Sequence, residues 1–376
     1  MAAGRVVYVE PLGVLGGMGH YNDSLVPAYA SAGFVVTVVT TSASPVLSQV
    51  ARVRISRAFR LALRRGTPAI LRAAGYLAAL LGVLRWCGRD DLVVLHFMHL
   101  PAVDQWWLRA VHARGARLVL VAHDPIPVAA AGPDQPYLAC LAQMDLLVVH
   151  GETAQRDLLR LGVPDRRIRL APFGRFRMTA PMNRQAAAEL LGLPELRRPI
   201  AVIVGHLKPG KGIGRVIDSL AKEPRAIGTL LLAGSRQGHG PLDDAIATAV
   251  RYGVPLQRVE RRLTDAEELA AYSLADVVLA LYESGYSSGV VARAHAVGRP
   301  VVLTDVGDLR AQAAPGDVVV EPDYSAGSLM TAIQSALAGC EDRVEPEDAQ
   351  PDGRWRQHVG TVIAALGLDE CEADPA

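Results

Sequence analysis

The chain has 376 residues, half of them hydrophobic, and a formal net charge of +1. That length and apolar content can supply two domains with substantial cores, and the absence of an apolar run of about 18 residues argues against a membrane span. A charge so close to neutral gives the protein as a whole no electrostatic basis for binding nucleic acid.

Two features bear on where the protein works. The first strand pattern, at residues 6–9, comes without the long apolar stretch of an export signal. The four cysteines, Cys87, Cys140, Cys340 and Cys371, are too scattered to indicate a disulfide framework or a zinc site. We therefore expect a protein of the reducing cytoplasm.

Strand and helix patterns alternate along the chain, which predicts an α/β fold with parallel sheets. Short runs of Val, Ile and Leu, typical of buried parallel strands, occur at 6–9, 35–41, 92–96, 118–122 and 146–149, and again at 200–204, 229–233, 277–281 and 301–304. The restart predicts two Rossmann-like, doubly wound domains whose strand ends face a common cleft, where ligands bind.

The joint between the domains is predicted at 172–181, which is rich in Pro and Gly. We expect an N-terminal domain at 1–174 and a C-terminal domain at 175–351. A helical pattern at 355–366 predicts a final helix, within 352–368, that crosses back onto the first domain. Residues 369–376 are predicted to be a loose tail.

A glycine-rich loop follows the first strand. Gly16, Gly17 and Gly19 precede a helical pattern, and residues without side chains let the backbone approach a pyrophosphate closely. An ordinary turn has the same composition, so this loop alone is weak evidence for a ligand site.

The region 52–89 holds nine arginines, no acidic residue and apolar stretches such as 73–84. A basic amphipathic stretch suits an anionic membrane face or an acidic, lipid-linked acceptor. The alternative is that Leu, Ala and Val pack onto the first sheet while the arginines solvate the outer face.

Histidines end two strands of the first half. His96 and His99 have i, i+3 spacing, which makes no convincing metal pair without a third ligand, so we expect them to line an acceptor cleft or to pack. His123, followed by Asp124, ends the strand at 118–122.

The loop HLKPGKG at 206–212 holds two of the chain's three lysines, Lys208 and Lys211, although the chain has 39 basic residues. In a chain that otherwise uses arginine, this clustering indicates a need for a compact ammonium group. Chance on a solvated loop would give the same pattern.

The most informative segment is YESGYSSGVVARAHAVGRPVVLTDVGDL at 282–309. Ser287, Ser288 and Gly289 open a helical pattern that ends at 298–300, and a β-branched strand follows at once. Amide donors at such a helix N-terminus bind phosphate oxygens when only small residues precede them, although Ser and Gly also form ordinary N-caps.

This segment resembles the donor-site signature of the GT-B glycosyltransferases of family 4, and the resemblance extends over nearly the whole chain. It rests on AHAVGRPVV at 294–302 and on the Ser-x-Ser-Gly-Val variety of the signature, which here ends at Val290. Two glutamates usually precede this run, and Gly285 and Arg293 stand in their places.

The resemblance implies roles for the candidate residues. Lys211, with the Ser288 and Gly289 amides, would neutralise charge on a leaving nucleoside diphosphate, and His123 would contact the donor sugar near the reacting carbon. His206 stands where the family has arginine. The donor-binding set is Gly16, Gly17, Gly19, His206, Glu283, Ser287, Ser288, Gly289, Val290 and Arg293. Two members keep an alternative: Glu283 replaces the lost sugar-binding glutamate or is solvated, and Arg293 reaches phosphate or is a surface arginine.

We therefore predict a cytoplasmic, retaining glycosyltransferase that moves a hexose from a nucleoside diphosphate sugar, UDP being the commonest nucleotide of the family, to an acceptor hydroxyl on a glycan, a lipid-linked molecule or a small natural product. The first domain would bind the acceptor and touch the inner membrane face, and the second would bind the donor. No Asp-x-Asp motif is present, so we expect neither a metal nor a cofactor. A nucleotide-sugar epimerase, a sugar phosphorylase and a catalytically silent partner subunit share the architecture and stay open as alternatives.

Overall fold

The computed structural model describes residues 4–14, 17–60, 62, 66–126, 133–177, 179–238, 240–339 and 353–368. The chain divides into two compact units, the first made of Met1–Gly174 and Asp352–Ala376 and the second of Arg175–Pro351. The predicted tail at 369–376 lies outside the described residues. Within the described part of the chain, no helix is both long enough and apolar enough to cross a bilayer.

A sheet of seven parallel strands is the centre of the first unit. Its elements in chain order are β1 (Arg5–Glu10), α1 (Gly17–Ser31), β2 (Val35–Thr40), α2 (Pro45–Ser48), β3 (Val53–Ser56), α3 (Ala69–Leu84), β4 (Leu92–Leu95), α4 (Pro101–His112), β5 (Arg117–Val121), α5 (Gln135–Ala142), β6 (Leu146–Val149), α6 (Glu152–Arg160) and β7 (Ile168–Leu170). Short 3-10 turns lie at Ala58–Arg60 and Asp165–Arg167. The strand order is β3-β2-β1-β4-β5-β6-β7, so the winding direction reverses between β1 and β4.

The second unit repeats this plan with six parallel strands. Its elements are α7 (Arg184–Leu191), β8 (Ile200–Val204), α8 (Ile213–Lys222), β9 (Thr229–Ala233), α9 (Pro241–Arg251), β10 (Leu256–Val259), α10 (Asp265–Leu274), β11 (Val277–Ala280), α11 (Gly289–Ala296), β12 (Val301–Thr304), a 3-10 turn at Leu309–Gln312, β13 (Val318–Val320) and α12 (Ala326–Ala338). The order β10-β9-β8-β11-β12-β13 reverses between β8 and β11.

Helices cover both faces of each sheet, which explains the continuous apolar runs of the central strands. Every residue of β4, β6, β8, β9, β11 and β12 is buried. In the second unit two apolar clusters result, one beneath α8 and α12 and the other beneath α10 and α11.

All nine predicted strands are present, and each observed end lies within one residue of the predicted one. The predicted class of fold, two Rossmann-like doubly wound domains, is confirmed. Four strands were not predicted, namely β3, β7, β10 and β13. These four are the edge strands of the two sheets.

The last helix, α13 (Gly353–Leu366), packs against α1 of the first unit. Its Trp355 is 1% exposed and meets the ring of Tyr21 edge-on, with centroids 4.8 Å apart. A Cβ atom on Gly174 would lie 2.2 Å from Trp355 Cε2, so only glycine fits there. The chain therefore leaves the first unit at Gly174, directly beside Trp355, which lies in the helix that returns to that unit.

Candidate functional site

Open parallel sheets bind ligands at the carboxyl ends of their strands, beside the point where the strand order reverses. In the second unit these positions are the loops after β8 and β11, which carry His206, Lys211, Glu283 and the 287–290 segment. In the first unit Gly17 and Gly19 lie in the first turn of α1, which follows β1, and His123 follows β5 two strands away. Gly16 lies outside the described residues.

Close backbone packing joins the two loops of the second unit. Gly212, which caps α8 with φ of 67°, approaches Leu281 so closely that a Cβ atom would lie 2.0 Å from the Leu281 carbonyl oxygen. The Glu283 N–H donates to the Gly210 carbonyl oxygen at 2.9 Å. Only glycine satisfies both the positive φ and this approach, so the sequence GKG fixes the position of Lys211 between two glycines.

Lys211 lies on an aromatic ring. Its Nζ is 3.5 Å from the centroid of the Tyr282 ring, within the range of a cation–π contact. No carboxylate of the described residues forms a salt bridge with Lys211. The ammonium charge is therefore held in place while remaining available to an anion.

The same tyrosine reaches the start of α11. Tyr282 Oη lies 3.1 Å from Ser288 Oγ, and Ser288 is the N-cap of α11. The helix is followed by β12, whose Thr304 donates its hydroxyl hydrogen to the Tyr282 carbonyl oxygen at 2.6 Å. Tyr282 thus connects Lys211 with the helix N-terminus that the sequence predicted as an anion-binding site.

Gln312 determines which backbone amides at the start of α11 are available to an anion. The Ser288 N–H donates to Gln312 Oε1 at 2.6 Å, and Gln312 Nε2 donates to the Ser288 carbonyl oxygen at 3.3 Å. The Ser288 amide is therefore occupied, and our prediction that it binds phosphate is wrong for this conformation. Among the described residues no acceptor meets the first-turn amides of Gly289 and Val290, which are the donors that face an incoming anion.

His206 is held as a neutral ring. Its Nδ1 lies 2.9 Å from Ser235 Oγ and 2.9 Å from Gln237 Nε2. Because an amide nitrogen only donates, Nδ1 accepts and Nε2 carries the proton. Desolvation lowers the pKa of His206, and the charges of Lys208 and Lys211 lower it further. His206 consequently presents one N–H donor where an arginine would present a charged fork.

Gly285 and Arg293, which stand where the family usually has glutamates, have different surroundings. Gly285 is covered by Gly307, where a Cβ atom would lie 1.7 Å from the Gly285 carbonyl oxygen. Arg293 is only 6% exposed, and its Nη1 donates to Thr179 Oγ1 at 3.1 Å, so the alternative of a surface arginine is wrong. Glu283 is exposed. Burial raises the pKa of Tyr324, and the nearby charge of Glu283 raises it further.

The glycine loop of the first unit is organised by a residue that the sequence did not indicate. Glu10, at the end of β1, is fully buried and accepts hydrogen bonds from the Leu12 and Gly13 amides at 2.9 and 2.5 Å and from Asn22 Nδ2 at 3.2 Å. Burial raises its pKa to about 7 despite these donors. An acidic residue ending a buried strand was the available signal. Gly19 serves packing, since a Cβ atom there would lie 3.2 Å from Val14 Cα.

His123 is half-buried and belongs to a cluster of four histidines, of which the other three are buried. Its Nε2 lies 3.0 Å from His96 Nδ1, and its ring lies 5.7 Å from that of His150, which in turn lies 5.6 Å from that of His358. Burial, followed by the nearby His150, lowers the pKa of His123 to about 3. The ring is therefore neutral near pH 7 and can act through hydrogen bonds. His96 packs as expected, and within the described residues no group of three or more His, Cys, Asp or Glu side chains is placed to hold a metal ion.

A comparison with protein families bears on this arrangement. Residues 15–174 match the family model described as Glycosyltransferase Family 4. This match lies within the first unit and covers less than half of the chain. No curated protein sequence matches the chain.

Solved structures extend the comparison to both units. HepE from Anabaena in complex with UDP-glucose has a TM-score of 0.67 and 17% identity, covering 96% of this chain and 100% of that chain. Sucrose-phosphate synthase from Thermosynechococcus elongatus has a TM-score of 0.65 and 20% identity, with 97% and 94% covered. The catalytic domain of starch synthase IV from Arabidopsis thaliana, bound to ADP and acarbose, has a TM-score of 0.65 and 13% identity, with 98% and 96% covered. The predicted GT-B fold and the predicted resemblance to family 4 are confirmed.

Proposed function

We propose that the protein is a retaining glycosyltransferase that moves a hexose from a nucleoside diphosphate sugar to an acceptor hydroxyl. The observation that carries this proposal is the link made by Tyr282, which holds an available ammonium group and the open N-terminus of α11 in one site of the second unit. A cation beside free amides matches the two charged phosphate groups of a nucleoside diphosphate.

The chemistry follows from where charge develops. When the bond between the anomeric carbon and the diphosphate oxygen breaks, negative charge grows on the leaving group, and Lys211 with the Gly289 and Val290 amides stabilises it without reorganising. The acceptor hydroxyl forms the new bond to the same carbon, and its proton passes to the leaving phosphate. Retention of configuration and independence of metal are parts of this proposal.

The remaining candidates take positioning roles. His123, neutral and hydrogen-bonded to His96, contacts the donor sugar near its reacting carbon. Glu283, exposed beside the Lys211 loop, binds a sugar hydroxyl in place of the glutamate missing at Gly285. The second unit binds the donor, the first binds the acceptor, and the enzyme works in the cytoplasm, in contact with the inner face of an anionic membrane through 52–89.

A panel of nucleoside diphosphates tests the proposal. A ligand that binds only the folded state raises the melting temperature, so UDP, GDP, dTDP and ADP are compared by thermal shift with the parent and the Lys211→Ala variant. We expect one of the four nucleotides to stabilise the parent and to lose most of this effect in the variant. UDP is the first candidate because HepE was solved with UDP-glucose. Absence of stabilisation by all four would refute a nucleotide-sugar enzyme.

Three rivals are separated by product analysis. A catalytically silent partner subunit binds the nucleotide but releases no sugar from the donor, whereas a transferase hydrolyses its donor slowly in water. An epimerase returns a donor of altered configuration, and a phosphorylase requires inorganic phosphate. An anomeric proton spectrum of the transferred sugar distinguishes retention from inversion.

A further inference from the structure

Helix α3 is attached to the first unit by one face only. Tyr76, Ala79, Leu80 and Val83 are buried. Tyr76 donates its hydroxyl hydrogen to Asp104 Oδ1 at 2.9 Å, and Trp107 Nε1 donates to the Leu80 carbonyl oxygen at 2.7 Å. These contacts to α4 hold the helix along the surface of the unit.

The opposite face of α3 is apolar and exposed. Ile70, Leu71, Leu77 and Leu81 are 82%, 59%, 44% and 65% exposed. Positions 70, 74, 77, 78 and 81 follow the helical repeat, and Ala74 and Ala78 complete a stripe without a polar side chain. The alternative in which the leucines of this region pack inward is therefore wrong for these side chains. A continuous exposed apolar stripe of this kind marks a binding surface.

Arginines border this stripe. The seven arginines described in 52–89 are all exposed, and the region contains no acidic residue. Arg72 lies on α3, Arg85 is its C-cap, and Arg60 lies on the 3-10 turn that packs against α3. Arginine side chains beside an apolar face place their guanidinium groups at lipid phosphates while the apolar side chains enter the acyl boundary.

The charge also argues against self-association through this face. In a symmetric dimer the same patch would meet its own copy, so arginines would be brought against arginines with no acidic residue of 52–89 to compensate. An anionic bilayer supplies both the apolar phase and the opposite charge.

We propose that the outer face of α3, with Arg60, Arg72 and Arg85, is a docking surface for an anionic lipid bilayer. The inference rests on the proposed function only in naming the acceptor, which at such a surface is a lipid-linked hydroxyl compound. Docking itself needs neither donor nor acceptor.

Vesicle co-sedimentation of the full chain tests the surface, with vesicles of phosphatidylglycerol mixed into phosphatidylcholine and vesicles of phosphatidylcholine alone. We expect binding to the anionic vesicles that weakens as salt screens the arginines. Leu77→Ser with Leu81→Ser is expected to lower the partition coefficient at least about tenfold at any salt concentration, because the apolar contact is lost. Arg72→Gln with Arg85→Gln is expected to lower it about tenfold at low salt and little at high salt.

Helix α9 of the second unit supplies matched controls, because it also ends in an exposed apolar residue and an arginine. Val250 is 77% exposed, and Arg251 lies over the Tyr252 ring as Arg85 lies over Trp86. Val250→Ser and Arg251→Gln are expected to bind vesicles like the parent. The altered side chains are exposed, so thermal unfolding and stabilisation by nucleoside diphosphate should be unchanged in every variant.

Three outcomes would overturn the proposal: equal binding to neutral and anionic vesicles, parental binding by the Leu77→Ser, Leu81→Ser variant, or a dimer in ultracentrifugation that this variant abolishes. If instead the proposed function is wrong, the protein binds vesicles normally but no nucleotide raises its melting temperature.

Discussion

The second unit builds its candidate site from a fixed charge and backbone amides, whereas the first unit gathers neutral side chains that can gain or lose protons. Glu10 and three clustered histidines, His96, His123 and His358, have protonation states set by burial. Two units of one plan thus use opposite strategies.

The difference has a structural origin. In the second unit, close approaches such as Gly212 to Leu281 place the loops through the backbone, so the lysine needs no ionic partner to be held. In the first unit, side chains hold the loops, and burial shifts their pKa values toward the neutral form because a charged group would be costly there.

Loss of the fixed charge is expected to have the largest effect. Lys211→Ala should lower turnover about 10²- to 10³-fold, the scale for removing one preorganised electrostatic group. Lys208→Ala, in the same exposed loop, is the control and should stay close to the parent. Steady-state kinetics with the donor identified by thermal shift decides the matter, and turnover of the Lys211 variant within twofold of the parent would remove the assignment.

The second prediction concerns acid and the first unit. His96 and His358 are buried with pKa values below the ordinary 6.5, so the unfolded state takes up protons first as the pH falls. Stability is therefore lost below pH 6.5, by at most about 2 kcal/mol per histidine at pH 5. Glu10 acts in the opposite direction, because its raised pKa makes protonation favourable on folding between pH 7 and its unfolded value of 4.5.

Variants separate these opposing effects. His358→Leu keeps an uncharged side chain in place and should lose part of the acid-induced destabilisation, whereas His112→Gln, at an exposed position of α4, should not. Denaturant unfolding at pH 7 and pH 5 measures the difference. Equal pH dependence of the parent and the His358 variant would show that the cluster does not titrate with unfolding.

The smallest effect is expected at the link between lysine and helix. Tyr282→Phe keeps the ring beneath Lys211 and loses the contact with Ser288 Oγ, which should weaken nucleoside diphosphate binding roughly 2- to 10-fold. Tyr282→Leu also removes the ring and should weaken it further. Calorimetric titration compares them with Tyr252→Leu, which removes a ring that lies beneath Arg251, outside the site. If both Tyr282 variants bind like the parent, the link has no positioning role.

Sequence patterns predicted the central strands because each is buried on two faces and is therefore mostly apolar. The edge strands β3 and β10 were missed because exposed positions break their apolar pattern, VRIS and LQRV. The edge strands β7 and β13 have only three residues each. The loops at Lys211 and Ser288 were predictable because each motif is contiguous.

Contacts between distant segments could not be predicted in the same way. The histidine cluster takes its members from β4, β5 and β6 strand ends and from α13, and no local pattern joins positions 96, 123, 150 and 358. Gln312 occupies the Ser288 amide from a separate 3-10 turn, so the available donors depend on tertiary structure.

The return of α13 to the first unit has a consequence for biosynthesis. The second unit, Arg175–Pro351, is continuous, so all of its elements have been made before the ribosome reaches α13. The first unit is incomplete until Trp355 and His358 have been synthesised. Before that, Tyr21 and the neighbouring histidines lack the helix that covers them. Most of the first unit is made before the second unit, but the second unit is the first that can finish folding. The incomplete first unit is therefore the part of the nascent chain that needs protection from aggregation.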